Sequence, residues 1–374
     1  MKKVLSLILT ASVVCAAVLT GCAVEPAASE ETQKPQAPGT DIVVGAIYVG
    51  RRTETDGYTN IHNQAITGVM RELEIPEDNL MIVDNVEENE IIEAVEQLAV
   101  EGCNIIFGIS EEYDFPMSDA AEMFPEIMFC SLGGFLSNDK NLIDFYGSVY
   151  QASYLAGINA GYESLAIGNN DIGYVYTWGD EDTQSYACVN AFALGAMASN
   201  PDAVIHLDMV HVWEDDELLV NASNHLASCG CGVIYSHRDV FSVINWSVFY
   251  ETALKAAMNC SAASDFFTEM GGNYYGNLTD GFINTEPITA GASAQAVEAI
   301  GITESLIESG QWDVFSGTAL RFTGNEGSVT VSQVATELED SEGNTIVEAG
   351  APSLTEAIIR VYMNYFVDGV IDET

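Results

Sequence analysis

The stretch IVVGAIYV at residues 42–49 decides the fold, together with the apolar runs that follow it at regular intervals. Each run is short and bounded by segments whose apolar residues recur at helical spacing, beginning with a helix predicted over Tyr58–Glu72. The same pattern continues as a strand at Leu80–Val83, a helix at Glu90–Val100, a strand at Asn104–Ile109, a helix around Met117–Met123 and a strand at Ile127–Ser131. Strands that alternate with helices indicate a parallel sheet covered on both faces. We therefore expect an α/β, doubly wound domain.

A second series of the same kind follows residues 145–150. It predicts helices at Ala152–Ser164, Ser185–Ala198 and Glu217–Ala227, and strands at Ile172–Tyr176, Val204–Val212 and Gly232–Tyr235. Two such series indicate two similar lobes. Open α/β sheets bind ligands beyond the carboxyl ends of their strands, so two facing lobes would enclose a cleft.

The charge of the chain limits its partners. Its 374 residues include 56 acidic and 11 basic side chains, for a formal charge of −45, and 48% of the residues are hydrophobic. Such a surface repels phosphate backbones and anionic lipid, which excludes nucleic acid as a partner. It also disfavours nucleoside triphosphates, which need clamps of Lys and Arg. Neutral or cationic ligands remain, bound by a chain apolar enough to fold.

The N-terminus has the features of an export signal. Lys2 and Lys3 precede an apolar run at residues 4–19, and the run ends in LTGC at residues 19–22, which resembles a bacterial lipobox. We therefore predict a lipoprotein signal peptide over residues 1–21, a lipid on Cys22, and a flexible tether over residues 22–40. The body would then sit on the extracytoplasmic face of the cell membrane, attached through the lipid only. A plain export signal with an unrelated cysteine is the alternative.

The sequence lacks common catalytic and nucleotide-binding motifs. It contains no G-x-x-x-x-G-K-[ST], no G-x-S-x-G, no H-E-x-x-H, and no G-x-G-x-x-G after a strand. Cys229 and Cys231, with His225 and His237 nearby, lack the paired C-x-x-C spacing of a zinc site. We predict no enzymatic activity, no cofactor and no metal, and we favour buried free thiols over a metal site or a disulfide.

Several short segments, in order along nearly the whole chain, resemble a known family. They are GYTNIH at 57–62, FYGSVYQA at 145–152 with YLAG at 154–157, NAFALG at 190–195, NW at 245–246 with Tyr250, YGNLTDGF at 275–282, WDVFSG at 312–317 and MNYFVDGV at 363–370. The chain resembles the basic membrane protein family of ABC-transporter substrate-binding lipoproteins, in its branch for purine nucleobases and nucleosides. The resemblance implies a type I periplasmic-binding-protein fold, with two lobes, a hinge, a ligand in the interlobe cleft, and a permease that receives it.

This fold suggests limits for the lobes. We expect the N-terminal lobe over residues 41–150, completed by about 243–270, and the C-terminal lobe over 151–242, completed by about 271–345. Residues 346–374 would form a C-terminal helical segment. The chain departs from the family pattern after Asp239, where a βα unit of the second lobe is missing, and at Tyr58, which replaces the usual Trp.

A purine needs stacking faces and a few polar partners along its rim. Tyr58 is the best candidate for stacking because it follows the first strand, and His62 lies one helical turn further along the same face. The other candidates lie at the ends of strands in the second series or flank the shortened region: Trp178, Trp213, Asp239 and Trp246. For every one of them, packing against neighbouring residues or a simple ion pair is the alternative.

Three other functions compete with purine import. A sensor or surface interaction protein could keep this fold after losing the βα unit. A binder of another small solute, such as a flavin or a sugar, would need the same cleft. An extracellular nucleoside hydrolase is the third alternative, and it has no supporting motif.

Overall fold

The structure, a computed structural model, describes residues 42–52, 57–177, 183–212, 215–241 and 243–374. The predicted signal peptide, the lipid site at Cys22 and the tether lie outside these residues. No helix in the described part of the chain is long and apolar enough to span a membrane.

The first series of elements agrees closely with its prediction. It comprises β1 (Val44–Tyr48), α1 (Tyr58–Glu72), β2 (Leu80–Val83), α2 (Ile91–Val100), β3 (Ile105–Ile109), α3 (Asp114–Met123), β4 (Met128–Leu132) and β5 (Leu142–Gly147). The second series comprises α4 (Val149–Ile167), β6 (Asp171–Tyr176), α5 (Thr183–Ser199), β7 (Val204–Met209), α6 (Asp216–Ser228), β8 (Val233–Ser236) and α7 (His237–Phe241).

The remainder of the chain alternates between the lobes. It forms α8 (Trp246–Asn259), α9 (Phe266–Met270), β9 (Tyr274–Gly276), α10 (Glu286–Thr289), α11 (Ala294–Glu308), β10 (Thr318–Thr323), β11 (Thr330–Ala335), β12 (Leu338–Glu339), β13 (Thr345–Val347), α12 (Glu356–Tyr362) and β14 (Val370–Asp372). The strands β10 and β11 form an antiparallel pair, and so do β12 and β13.

Two parallel sheets define two lobes. The first lobe is built on a six-stranded sheet in the order β2-β1-β3-β4-β5-β9, and the second on a four-stranded sheet in the order β14-β7-β6-β8. Strands β1, β3, β4 and β5 are buried along their whole length because helices cover both faces of their sheet. Together with the solved structure described below, this confirms the predicted α/β class with two doubly wound, parallel-sheet lobes of the type I periplasmic-binding-protein kind.

The helices α4 and α5 pack closely against each other in the second lobe. Most of α4 is buried, since α5, α7, α10 and α11 all pack against it. Glycine permits this close approach: a Cβ on Gly157 would lie 2.1 Å from the carbonyl oxygen of Phe192, and one on Gly195 would lie 2.0 Å from that of Tyr154. Because α4 is buried on all sides along most of its length, it has no single polar face.

The structure differs from the expected lobe limits at two places. Strand β9 pairs with β5 and so belongs to the first sheet, although we expected residues 271–345 to complete the second lobe. Strand β14 pairs with β7 in the second sheet, so residues 346–374 hold only one short helix, α12, and are not a helical segment. Both strands have three residues, which is too short for a periodic pattern to show.

The second sheet ends at β8. Within the described chain β8 pairs with β6 alone, and after the short α7 the chain returns to the first lobe, where α8 packs against α1. Strand β8 is therefore an edge strand of the second sheet in the described chain.

Candidate ligand-binding site

Three of the predicted ligand residues form one aromatic cluster in the first lobe. Tyr58 opens α1 and Trp246 opens α8, and the ring of His62 lies between them, with its centroid 4.6 Å from that of Tyr58 and 4.2 Å from that of Trp246. The Trp246 ring also meets Phe145 and Phe282 edge-on. His62 and Trp246, which are 184 positions apart in the sequence, are thus brought together near the starts of two neighbouring helices.

His62 is the buried centre of this cluster. It is fully buried, and its Nδ1 lies 2.7 Å from the hydroxyl oxygen of Tyr250. Burial lowers the pKa of His62 to about 3, so the ring is neutral at physiological pH. Its Nε2 has no hydrogen-bond partner within the described residues. Burying a polar nitrogen without a hydrogen-bond partner costs free energy, and a polar group that enters the cluster and bonds Nε2 would recover it.

Tyr58 is half-buried and lies near Glu111. Burial, followed by the nearby charge of Glu111, raises the pKa of Tyr58 well above its usual value. Glu111 follows β3, and Gln184 near the start of α5 in the second lobe donates a hydrogen bond of 2.9 Å to Oε1 of Glu111. The Tyr58 end of the cluster therefore faces the carboxyl edge of the first sheet, where the cleft between the lobes is expected.

The second lobe brings its own polar groups to the corresponding edge. Thr177 follows β6 and is fully buried, and its hydroxyl oxygen has no partner within the described residues. His237 follows β8; its Nδ1 lies 3.0 Å from the hydroxyl oxygen of Tyr174, and burial lowers its pKa to about 3. The predicted residues Trp178 and Trp213 lie outside the described residues. Asp239 falls within α7, but its side chain is also outside the described part.

A buried ion pair near the same edge is not among the residues that the sequence predicts for the site. Nη1 of Arg360 in α12 donates to Oδ2 of Asp144 in β5 at 2.7 Å. Burial raises the pKa of Asp144 to about 6, against the opposing effect of the Arg360 charge. The signal available in the sequence was an acidic residue inside the apolar run of β5, since charges are almost never fully buried unless they are paired.

Five of the described cysteines are free thiols: Cys103, Cys130, Cys229, Cys231 and Cys260. Cys103, Cys130, Cys188 and Cys231 are buried, while Cys229 and Cys260 are partly exposed. No group of three or more His, Cys, Asp or Glu side chains capable of holding a metal ion occurs among the residues that the structure describes.

Comparisons with known proteins identify the family. The family model described as "ABC transporter substrate-binding protein PnrA-like", named Bmp, matches residues 42–245, more than half of the chain. A purine-binding protein of Brucella abortus is 24% identical over 88% of this chain and 93% of its own length. A Haloferax volcanii protein that carries the name of an ABC-transporter glucose-binding protein is 25% identical over 66% of this chain and 68% of its own.

A solved structure supports the fold. A solute-binding protein of an ABC transporter from Aeropyrum pernix superposes with a TM-score of 0.56, at 12% identity, over 76% of this chain and 94% of its own. Proteins of the matched family are extracytoplasmic, non-enzymatic components that bind a small molecule for a membrane permease, in agreement with the prediction that this chain is not an enzyme. The chain therefore belongs to the Bmp family of PnrA-like ABC-transporter substrate-binding proteins.

Proposed function

We propose that the protein binds a purine nucleobase or nucleoside in the cleft between its lobes and delivers it to an ABC permease. The observation that carries this proposal is the half-buried ring of Tyr58, near Glu111 and packed on His62, whose Nε2 has no partner within the described residues. The ring supplies a stacking face and the imidazole supplies a polar group one helical turn further in.

The chemistry of this pair suits a flat, uncharged ring. Stacking on an aromatic face is favourable for any base, and a neutral imidazole nitrogen can donate to or accept from the rim of a purine according to its tautomer. The His62 ring stays neutral because of its lowered pKa, so it offers no charge for a phosphate. With a formal charge of −45, the protein also repels nucleotides. Bases and nucleosides are favoured over their phosphorylated forms.

In this proposal Trp246 supports the cluster from beneath. It is only 6% exposed, and its ring is packed by His62, Phe145 and Phe282. A ligand would reach His62 only after the Tyr58 ring moves aside or the lobes separate. The remaining predicted contacts, Trp178, Trp213 and Asp239, would close the cleft from the second lobe.

The comparisons favour a purine but offer a rival. The Brucella relative named for purine binding aligns with 88% of this chain, while the Haloferax relative named for glucose binding aligns with 66%. A sugar is therefore the second candidate ligand. We further propose that residues 1–21 are removed as a signal peptide and that a lipid on Cys22 holds the protein at the membrane.

Titration calorimetry tests the proposed ligand. We expect heat on addition of adenine, guanine, hypoxanthine or one of their nucleosides, and none with glucose. Tyr58→Phe keeps the ring and should bind within a few-fold of the original affinity. Tyr58→Leu removes the stacking face and should bind about tenfold more weakly, which corresponds to a loss of roughly 1.4 kcal/mol of binding free energy. The control Tyr362→Leu removes a tyrosine that is 68% exposed on α12. Heat with glucose and with no purine would overturn the proposal.

A further inference from the structure

Arg360 is buried and donates several hydrogen bonds to buried partners. Besides the bond to Asp144, its Nη2 donates to the carbonyl oxygens of Gly133 at 3.1 Å and Gly134 at 2.7 Å. The guanidinium also lies 4.6–5.0 Å from the ring centroids of Phe135, Tyr146 and Tyr275. The five-donor guanidinium fork is thus directed into the first lobe.

The helix that carries Arg360 is anchored in the second lobe. Helix α12 packs against α5, and Asn190 of α5 bonds the backbone just after α12, donating to the carbonyl oxygen of Tyr365 and accepting from the amide of Val367. At the first turn of α12, the hydroxyl of Tyr150 in α4 donates to Oε2 of Glu356 at 3.2 Å. The C-terminal strand β14 then joins the second sheet. Arg360 is therefore a second-lobe side chain that reaches across to the first.

The partner Asp144 belongs to the first lobe. It lies in β5, three residues before the hinge connection that leads from Gly147 into α4, and it is fully buried. Its Oδ1 has no hydrogen-bond partner within the described residues, and its Oδ2 accepts from Arg360 at 2.7 Å and from the hydroxyl of Tyr275 at 3.5 Å. Arg360, which brings the opposite charge at the shorter distance, supplies the main compensation for the charge of Asp144. Separating the two residues would leave a buried carboxylate uncompensated, which is strongly unfavourable.

The contacts of Arg360 continue to the edge of the cleft. Gly133, whose carbonyl accepts from Arg360, is packed against Glu111: a Cβ on Gly133 would lie 2.4 Å from Cγ of Glu111. Glu111 in turn accepts the hydrogen bond from Gln184 of the second lobe. Two interlobe bonds, one from Arg360 and one from Gln184, thus end on two loops that pack against each other, the loop after β4 and the loop after β3.

We propose that Arg360 and Asp144 form an interlobe clamp that sets the resting angle between the lobes and holds the cleft closed. The clamp positions the cleft and does not touch the ligand, so this inference stands whether the ligand is a purine or another solute. Compared with apolar residues of the same size, a buried ion pair adds little net stability, but in some proteins it selects one arrangement because any other arrangement leaves a charge unpaired. The hinge motion that admits a ligand would then have to break it.

Fluorescence energy transfer between the lobes tests the clamp in ligand-free protein. Dyes are attached through an unnatural amino acid placed at Glu96 on α2 and at Asn224 on α6, both exposed positions on opposite lobes. We expect one short distance in the original protein, and a longer or second, more distant population in the double variant Asp144→Asn/Arg360→Met. The double variant removes both charges and so avoids the unpaired carboxylate that could unfold Arg360→Met alone.

Two further variants separate the clamp from general packing. Arg71→Met removes an arginine whose ion pair with Glu77 is on the surface, and it should leave the distance unchanged. Arg360→Lys keeps the charge but lacks the fork that spans Asp144 and two carbonyls, and it should restore the short distance only in part. An unchanged distance distribution in a double variant that retains cooperative unfolding would overturn the clamp. Because no ligand is added, failure of the proposed ligand would not affect this result.

Discussion

Nδ1 of His62 lies 2.7 Å from the hydroxyl oxygen of Tyr250, a residue 188 positions away in the sequence. This bond joins α1 to α8 and fixes the ring on which Tyr58 and Trp246 pack. It also leaves the other imidazole nitrogen as the unpartnered atom of the cluster. The candidate site therefore depends on a contact between the beginning of the first lobe and the segment that returns to complete it.

Tyr250→Phe should destabilise the protein by about 1–3 kcal/mol, because it leaves a second buried nitrogen of His62 without a partner. The change removes one oxygen and preserves the ring, so packing is little altered. The free energy of unfolding from denaturant titration measures the effect. Tyr362→Phe, at an exposed position, should change stability by less than about 0.5 kcal/mol. Equal stability of the two variants would show that the His62 bond contributes nothing.

Gly195→Ala should destabilise the second lobe by about 1–3 kcal/mol, because its Cβ would lie 2.0 Å from the carbonyl oxygen of Tyr154 and force α4 and α5 apart. Gly68 in α1 provides a control of opposite sign. No atom lies within 4 Å of a Cβ added there, so Gly68→Ala should stabilise by roughly 0.5–1 kcal/mol through helix propensity. Thermal unfolding of both variants checks the prediction, and a stabilised Gly195→Ala would contradict the close packing.

His206 should make stability depend on pH. Its Nδ1 lies 2.8 Å from Glu373 and its Nε2 lies 3.1 Å from Asp171, which ties the C-terminal strand β14 to β6 and β7. Burial alone would lower the pKa of His206, but the hydrogen bonds and charges of these two carboxylates outweigh it and raise the pKa. The stabilisation is therefore complete below the unfolded pKa of about 6.5 and is lost as pH rises through the higher folded pKa.

Denaturant unfolding of His206→Gln at pH 5.5 and at pH 9 measures the stabilisation that protonated His206 contributes. The variant should be less stable than the original protein at pH 5.5, by roughly 1 kcal/mol, and nearly equal to it at pH 9. His211→Gln, at an exposed histidine, is the control for replacing a surface imidazole by an amide. A larger deficit at pH 9 than at pH 5.5 would mean that His206 is neutral in the folded protein.

Most of the regular fold could be predicted from the sequence. The helix at Tyr58–Glu72 and the strand at Leu80–Val83 were predicted with the bounds that the structure shows, because long amphipathic spacing and short apolar runs are local signals. Strand β9 could not be predicted in this way. Its three residues become a strand only by pairing with β5, more than a hundred residues earlier in the chain.

The candidate site was predicted only in part. Tyr58, His62 and Trp246 were each chosen separately, and the structure brings them together, but it also buries His62 completely, which local spacing could not show. The pairing of Arg360 with Asp144 joins residues 216 positions apart. Such a contact depends on how α12 packs against α5, and no local pattern encodes it.

Native mass spectrometry on the protein mixed with equal amounts of purine bases, their nucleosides and glucose shows which of these molecules the protein binds. We expect a one-to-one complex whose added mass is that of a purine base or nucleoside. Tyr58→Leu should weaken this complex, while Tyr362→Leu should not. Protein that remains free in the mixture, or that carries glucose instead, would contradict the assignment of the cleft to a purine.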